Sequence, residues 1–120
     1  MTAKRRKKAP SQDKLPPQSE ADFKKQVIDT AQALGWLVHS DPDSRQVQGN
    51  PGFPDLVLVK DGMVIFAELK RNGAHLQKVQ FKWMDALQQY TGKFTFGHSP
   101  RIAVWRPGDY EIIKRLLGGE

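Results

Sequence analysis

The chain contains no cysteine, which excludes both a disulfide framework and a thiolate metal site and suits a reducing intracellular setting. No apolar run approaches the roughly 20 residues of a membrane span, and the basic start lacks the apolar core of a signal peptide. There is no glycine-rich phosphate loop, so a nucleotide-hydrolysing motor has no support. His39, His75 and His98 are scattered without ligand spacing. Net charge is also scarce outside one run. Of the formal net charge of +6, Lys4, Arg5, Arg6, Lys7 and Lys8 supply five, leaving +1 for the rest of the chain. An argument from net charge to nucleic acid is therefore an argument about that run. The expected setting is the cytoplasm, with no membrane partner.

At 120 residues the chain is long enough for one domain with a modest core. Residues 1–18 carry the basic run and Pro16-Pro17, a composition that cannot bury surface. They read as a disordered arm that either holds a phosphate backbone in a salt-dependent way or simply solubilises the chain. Residues 19–120 then form the folded domain.

The most informative stretch is Gly52–Lys70. Two runs rich in aliphatic and β-branched residues, Asp55–Lys60 and Met63–Leu69, flank Asp61-Gly62, a dipeptide suited to a type I′ turn. That turn sets the register. Lys60 faces Met63, Val57 faces Phe66, Leu56 faces Ala67, and Asp55 faces Glu68. With side chains alternating, Asp55, Glu68 and Lys70 share one face. Like charges opposed in a sheet repel by up to about 1 kcal/mol, and apolar residues on both faces imply strands covered on both sides. The pair therefore needs positive charge, from Lys70 or from a hard divalent cation, with the Leu69 carbonyl as a further ligand. An ordinary ion pair at a hairpin end is the plainer alternative.

Around the hairpin, Ser19 predicts a helix N-cap, with Glu20 and Asp22 in the first turn and Gly35 as the stop, giving a helix over about 20–34. Its apolar stripe is Phe23, Val27, Ala31 and Leu34, with Glu20 on the same stripe and so directed at the sheet. Trp36–His39 reads as a short strand, followed by a long loop containing Arg45, Gln46 and Gln48 that either contacts a nucleic-acid backbone or is merely solvated. After the hairpin a helix is expected over about 76–90, with Leu76, Val79, Trp83, Leu87 and Tyr90 as its buried stripe. Gln80 lies on that apolar side, where a buried amide needs a partner. Lys78 and Lys82 lie four apart on another face, which either touches phosphates or is simply solvated, and Arg71 lies in the preceding loop. Arg101–Arg106 predicts a last strand, Asp109 a cap, and Tyr110–Leu117 a closing helix. The order helix, strand, hairpin, helix, strand, helix implies an α/β domain with a central mixed sheet of about four strands, covered on both faces.

Pro54-Asp55, a hairpin, and Glu68-Leu69-Lys70 on its second strand resemble the active-site signature of the PD-(D/E)xK nuclease superfamily. Gly52-Phe53-Pro54-Asp55-Leu56, Gln80 ten residues after Lys70, and the closing Trp105-Arg106-Pro107 resemble more narrowly its VRR-NUC family, the virus-type replication-repair nucleases. The resemblance extends from Glu20 to Pro107. Gly73-Ala74-His75-Leu76 departs from it, since no Ser or Thr caps the second helix.

This resemblance implies a restriction-endonuclease-like core and magnesium- or manganese-dependent hydrolysis of DNA. Asp55, Glu68, the Leu69 carbonyl and Glu20 are the implied metal ligands, with Lys70 and Gln80 completing the catalytic set. Arg45, Arg71, Lys78, Lys82 and the basic arm are candidate DNA contacts. Viral stand-alone members of the family resemble Holliday-junction resolvases, which implies branched DNA, a homodimer, and a phage-encoded protein in the host cytoplasm. Phe94, Phe96, Ile112, Ile113 and Leu116 are candidates for the dimer interface. A flap- or end-directed nuclease, a restriction-type nuclease and a non-catalytic DNA-binding module are the alternatives.

Overall fold

A computed structural model of the chain describes residues 18–40, 51–88 and 101–120. The elements run α1 (Glu20–Ala33), β1 (Leu37–Ser40), β2 (Leu56–Lys60), β3 (Met63–Leu69), α2 (Lys78–Gln88), β4 (Arg101–Trp105), a 3₁₀ turn (Pro107–Asp109) and α3 (Tyr110–Leu117). The four strands form one mixed sheet in the order β1-β2-β3-β4. The first three are antiparallel neighbours, and β4 runs parallel to β3. This is an α/β fold, a four-stranded mixed sheet flanked by three helices.

The β2–β3 hairpin has the register that its turn dictates. Lys60 pairs with Met63, and the ladder continues to Leu56 opposite Ala67. Asp61 and Gly62 have φ of 50° and 80°, the positive values that both central residues of a type I′ turn require. Asp55 stands one residue before β2, just beyond the last of these pairs.

Alternation along the hairpin sorts its side chains between two layers. Leu56, Leu58, Ile65, Ala67 and Leu69 pack with Phe23, Val27 and Ala31 of α1 and with Ile113 and Leu117 of α3 in one buried cluster. Trp36 closes that cluster by donating its indole N–H to the Leu117 carbonyl at 2.9 Å, and Thr30 and Tyr110 join their hydroxyls at 2.6 Å. The opposite face carries Phe66 and Glu68, and α2 covers it. Phe53 stands edge-on to both Phe66 and Trp83, with ring centroids 6.0 and 5.1 Å away.

The ends of α1 follow its sequence signals. The Ser19 hydroxyl accepts the Asp22 N–H at 3.0 Å, and Gly35 leaves the helix at φ 93°. The Lys60 ammonium donates to the Leu34 carbonyl at 2.6 Å, a cation where the helix dipole favours one.

Several expectations need correction. The first strand begins at Leu37, because Trp36 turns into the core. The second helix begins at Lys78 rather than near Leu76, and Tyr90 lies outside the described residues. Its buried side chain is Met84, while Leu76, Trp83 and Leu87 are half-buried and Val79 is exposed. The helix is rotated so that Trp83 reaches Phe53 and Gln80 faces the sheet. Asp109 does not cap α3 with its side chain. Its carboxylate instead accepts the Arg106 N–H at 3.0 Å and closes the 3₁₀ turn. Of the proposed interface residues, Ile113 belongs to the chain's own core, Leu116 packs partly against it, and Ile112 is exposed. Phe94 and Phe96 lie outside the described residues. Among the described residues no helix is long and apolar enough to cross a membrane.

Candidate active site

The site forms where the hairpin ends. Glu68 is the penultimate residue of β3, and Lys70 follows the strand directly. Both are ionisable and both are buried, at 2% and 7% exposure. Asp55 is half-buried across from them, and its Oδ2 accepts the Leu69 N–H at 2.9 Å. That bond extends the hairpin ladder through a side chain and fixes the Asp55 carboxylate at the end of the strand. In an extended strand the N–H and C=O of one residue face the same neighbour, so the Leu69 carbonyl is directed to the Asp55 side. The next N–H, that of Lys70, turns the other way and donates to the Trp105 carbonyl at 3.0 Å.

Gln80 reaches this cluster from the first turn of α2. Its Nε2 donates to Glu68 Oε2 at 2.7 Å, and its Oε1 accepts the Gln77 N–H at 2.8 Å. The second bond is half of a capping box, a side chain at the third helical position satisfying the N-cap N–H. It replaces the missing Ser or Thr cap and fixes which end of the amide faces Glu68.

Glu68 Oε1 is fully buried and, among the described residues, finds no donor when both acids are ionised; a proton kept on Glu68 lets the two carboxyls hydrogen-bond to each other. An orphaned acceptor of this kind costs about 1–3 kcal/mol, and more when charged. Burial pushes the Glu68 carboxyl up to about 8, and the neighbouring Asp55 charge adds to the rise against the opposing charge of Lys70. The Asp55 carboxyl is also raised, chiefly by burial, while the Leu69 N–H and the charge of Lys24 pull it down. Two adjoining carboxyls that both resist ionisation, and that share a hydrogen bond only while one keeps its proton, form when ionised an acceptor set short of positive charge. Hard oxygen donors of this kind suit magnesium or manganese.

Glu20 was expected on the inward stripe of α1, but it is exposed at the first helical position, one turn before the stripe becomes buried at Phe23. Its charge is nonetheless close enough to raise the Asp55 carboxyl. Among the described residues, no three His, Cys, Asp or Glu side chains converge as a complete cation cage. Arg71, Lys78 and Lys82 are exposed around the start of α2. Lys4, Arg5, Arg6, Lys7, Lys8 and Arg45 lie outside the described residues.

Two contributors escaped sequence reasoning. Lys24, one turn after Glu20 and half-buried, acts on Asp55 through its charge, and its i+4 spacing from Glu20 was the available signal. Arg106 donates from Nη1 to the carbonyls of Arg71 at 3.1 Å and Ala74 at 2.6 Å. Carbonyl acceptors in a distant loop leave no mark in the sequence.

No protein-family model, curated protein or solved structure matches the chain.

Proposed function

We propose that this chain is a metal-dependent deoxyribonuclease of the VRR-NUC type, built on a restriction-endonuclease-like core and selective for branched DNA. The observation that carries the reading is the buried Glu68 carboxyl beside Asp55 and Lys70, which when ionised has no donor at Oε1 among the described residues. A module that only bound DNA would have no need to bury one carboxyl against a second, half-buried one where apolar residues would be cheaper.

In this reading Asp55, Glu68 and the Leu69 carbonyl would hold magnesium or manganese, with Glu20, exposed at the start of α1, as the further proposed ligand. The ion would supply Lewis-acid polarisation of the scissile phosphate and a lowered pKa for the attacking water. Lys70, buried beside the carboxylates, orients that water or offsets the charge developing on the phosphate. Gln80 holds the Glu68 carboxyl in one orientation through its bond to Oε2. Arg71, Lys78 and Lys82 offer exposed cations to the phosphates on either side.

A four-way junction needs two symmetric cuts, and one small domain carries one such site. The active form is therefore proposed as a two-fold dimer. The test is cleavage of labelled linear, nicked, flap and four-way DNAs with magnesium or manganese, alongside light scattering with and without the junction. Junction cleavage by a dimer is the expected result. A monomer that cuts flaps but leaves junctions intact would replace this reading with a flap-directed nuclease.

A further inference from the structure

The seven residues 71–77 join the proposed catalytic Lys70 to the helix that delivers Gln80, and they form neither helix nor strand. Ala74 and Leu76 are half-buried and the other five are exposed, so the loop has little apolar anchorage of its own. It begins as a tight turn in which the Ala74 N–H donates to the Arg71 carbonyl at 3.2 Å, with Gly73 at φ 81°.

The corner between β4 and α3 holds this loop through polar bonds. The half-buried Arg106 guanidinium grips both ends of the turn, at the carbonyls of Arg71 and Ala74. Two residues on, the Gly108 N–H donates to Asn72 Oδ1 at 3.1 Å. The corner is itself rigidly closed, because Arg106 and Asp109 exchange two bonds: the Asp109 N–H to the Arg106 carbonyl at 2.8 Å, and the Arg106 N–H to the Asp109 carboxylate at 3.0 Å. Adjacent to it, the Trp105 carbonyl takes the Lys70 N–H. Lys70 and the first half of the loop that leads to α2, as far as Ala74, are thus referred to one short stretch, Trp105–Asp109.

We propose that Arg106 is a positioning residue, its guanidinium pinning the 71–77 loop so that α2 begins where Gln80 meets Glu68. Arg suits the task because its planar fork carries several donors in fixed directions, whereas a lysine offers one flexible ammonium. The proposal rests on the nuclease reading for its kinetic consequence, but not for its structural one. Displacing the loop moves Gln77, whose N–H holds the Gln80 carbonyl, and so frees the Gln80 amide from Glu68.

The experiment compares the full-length parent, Arg106→Ala, Arg106→Lys, Gln80→Ala and the Arg106→Ala/Gln80→Ala double variant. Loss of a group that orients the groups around a metal site typically costs about 10–100-fold. Arg106→Ala should lower the single-turnover cleavage rate by roughly that factor with KM near the parent's, and Arg106→Lys should lose most of it while keeping the charge and the stem. In the Gln80→Ala background, Arg106→Ala should add little, because the two act in series. The Gln80 side-chain amide resonances should also shift in both Arg106 variants, whether or not the parent cuts DNA. Unmoved Gln80 resonances in a folded Arg106→Lys protein, or the same rate loss from Arg106→Ala in both backgrounds, would overturn the proposal. A parent that cuts no DNA while Gln80 still responds to Arg106 would sink the nuclease reading and leave the clamp standing.

Discussion

Gln80 Nε2 donates to Glu68 Oε2 at 2.7 Å, a hydrogen bond that ties the second helix to the charged end of the hairpin. Because the other end of the same amide is committed to the Gln77 N–H, the donor cannot flip away from the carboxylate without uncapping the helix. Removing it with Gln80→Ala leaves both oxygens of a buried carboxylate poorly satisfied, which favours its protonated form. Cleavage should fall by roughly 10–100-fold, and the acid limb of the pH–rate profile should move to higher pH. An unchanged limb with a reduced rate would show that Gln80 acts elsewhere than on Glu68.

The metal-free protein should lose stability as pH rises. Glu68 titrates near 4.5 when unfolded and at about 8 in the fold, so between those values the folded state holds more protons than the unfolded one. Stability is then fully present below about 4.5 and is lost progressively up to about 8, by a few kcal/mol at most at about 1.4 kcal/mol per pKa unit. Asp55, also raised, acts in the same direction. Urea melts of the parent and of Glu68→Gln across this window check the point, and the variant should show a much flatter profile. A parent profile as flat as the variant's would count against a buried, proton-retaining pair.

Manganese should reverse that trend, since ligands must be deprotonated before they bind a metal. An ion that binds only the folded site stabilises it by about 2.7 kcal/mol at a hundredfold excess over its Kd, on the order of 10 °C in Tm for a domain of this size. The gain should grow from pH 6 to pH 8 and vanish in the Asp55→Ala/Glu68→Ala variant. An equal rise in that variant would locate the ion elsewhere.

Gly52 sets how closely the segment before Asp55 approaches α2. Its φ is 89°, and a Cβ there would stand 2.7 Å from the Val79 backbone, so neither the conformation nor the space admits a side chain. Gly52→Ala should cost about 2–4 kcal/mol from left-handed strain and overpacking together. A thermal melt within a degree of the parent would show that the two segments are free to separate.

Much of this fold is legible in local chemistry. Asp61-Gly62 dictates the hairpin turn, and from the turn follow the register and the shared face of Glu68 and Lys70. Ser19 and Gly35 bound the first helix for reasons of capping and φ alone, and the amphipathic pattern of Tyr110–Leu117 suffices for the last. What is not legible depends on distant partners. The rotation of α2 is set by Phe53 against Trp83 and by Gln80 against Glu68, so a stripe drawn from spacing misassigned Val79 and omitted Met84. Asp109 looks like a cap for α3, yet the Arg106 N–H competes for its carboxylate and wins. The site is similarly divided. Asp55, Glu68, Lys70 and Gln80 come together as spacing and resemblance suggested, whereas Arg106 works through main-chain carbonyls that any residue could supply.

The most direct test of the central claim is cleavage of a labelled four-way junction by the parent, Asp55→Asn and Glu68→Gln in the same manganese buffer. Both substitutions relieve carboxylate repulsion, so both variants should remain folded and melt no lower than the metal-free parent. The account predicts that the parent cuts and that neither variant does. Cutting by both variants at the parental rate would contradict it.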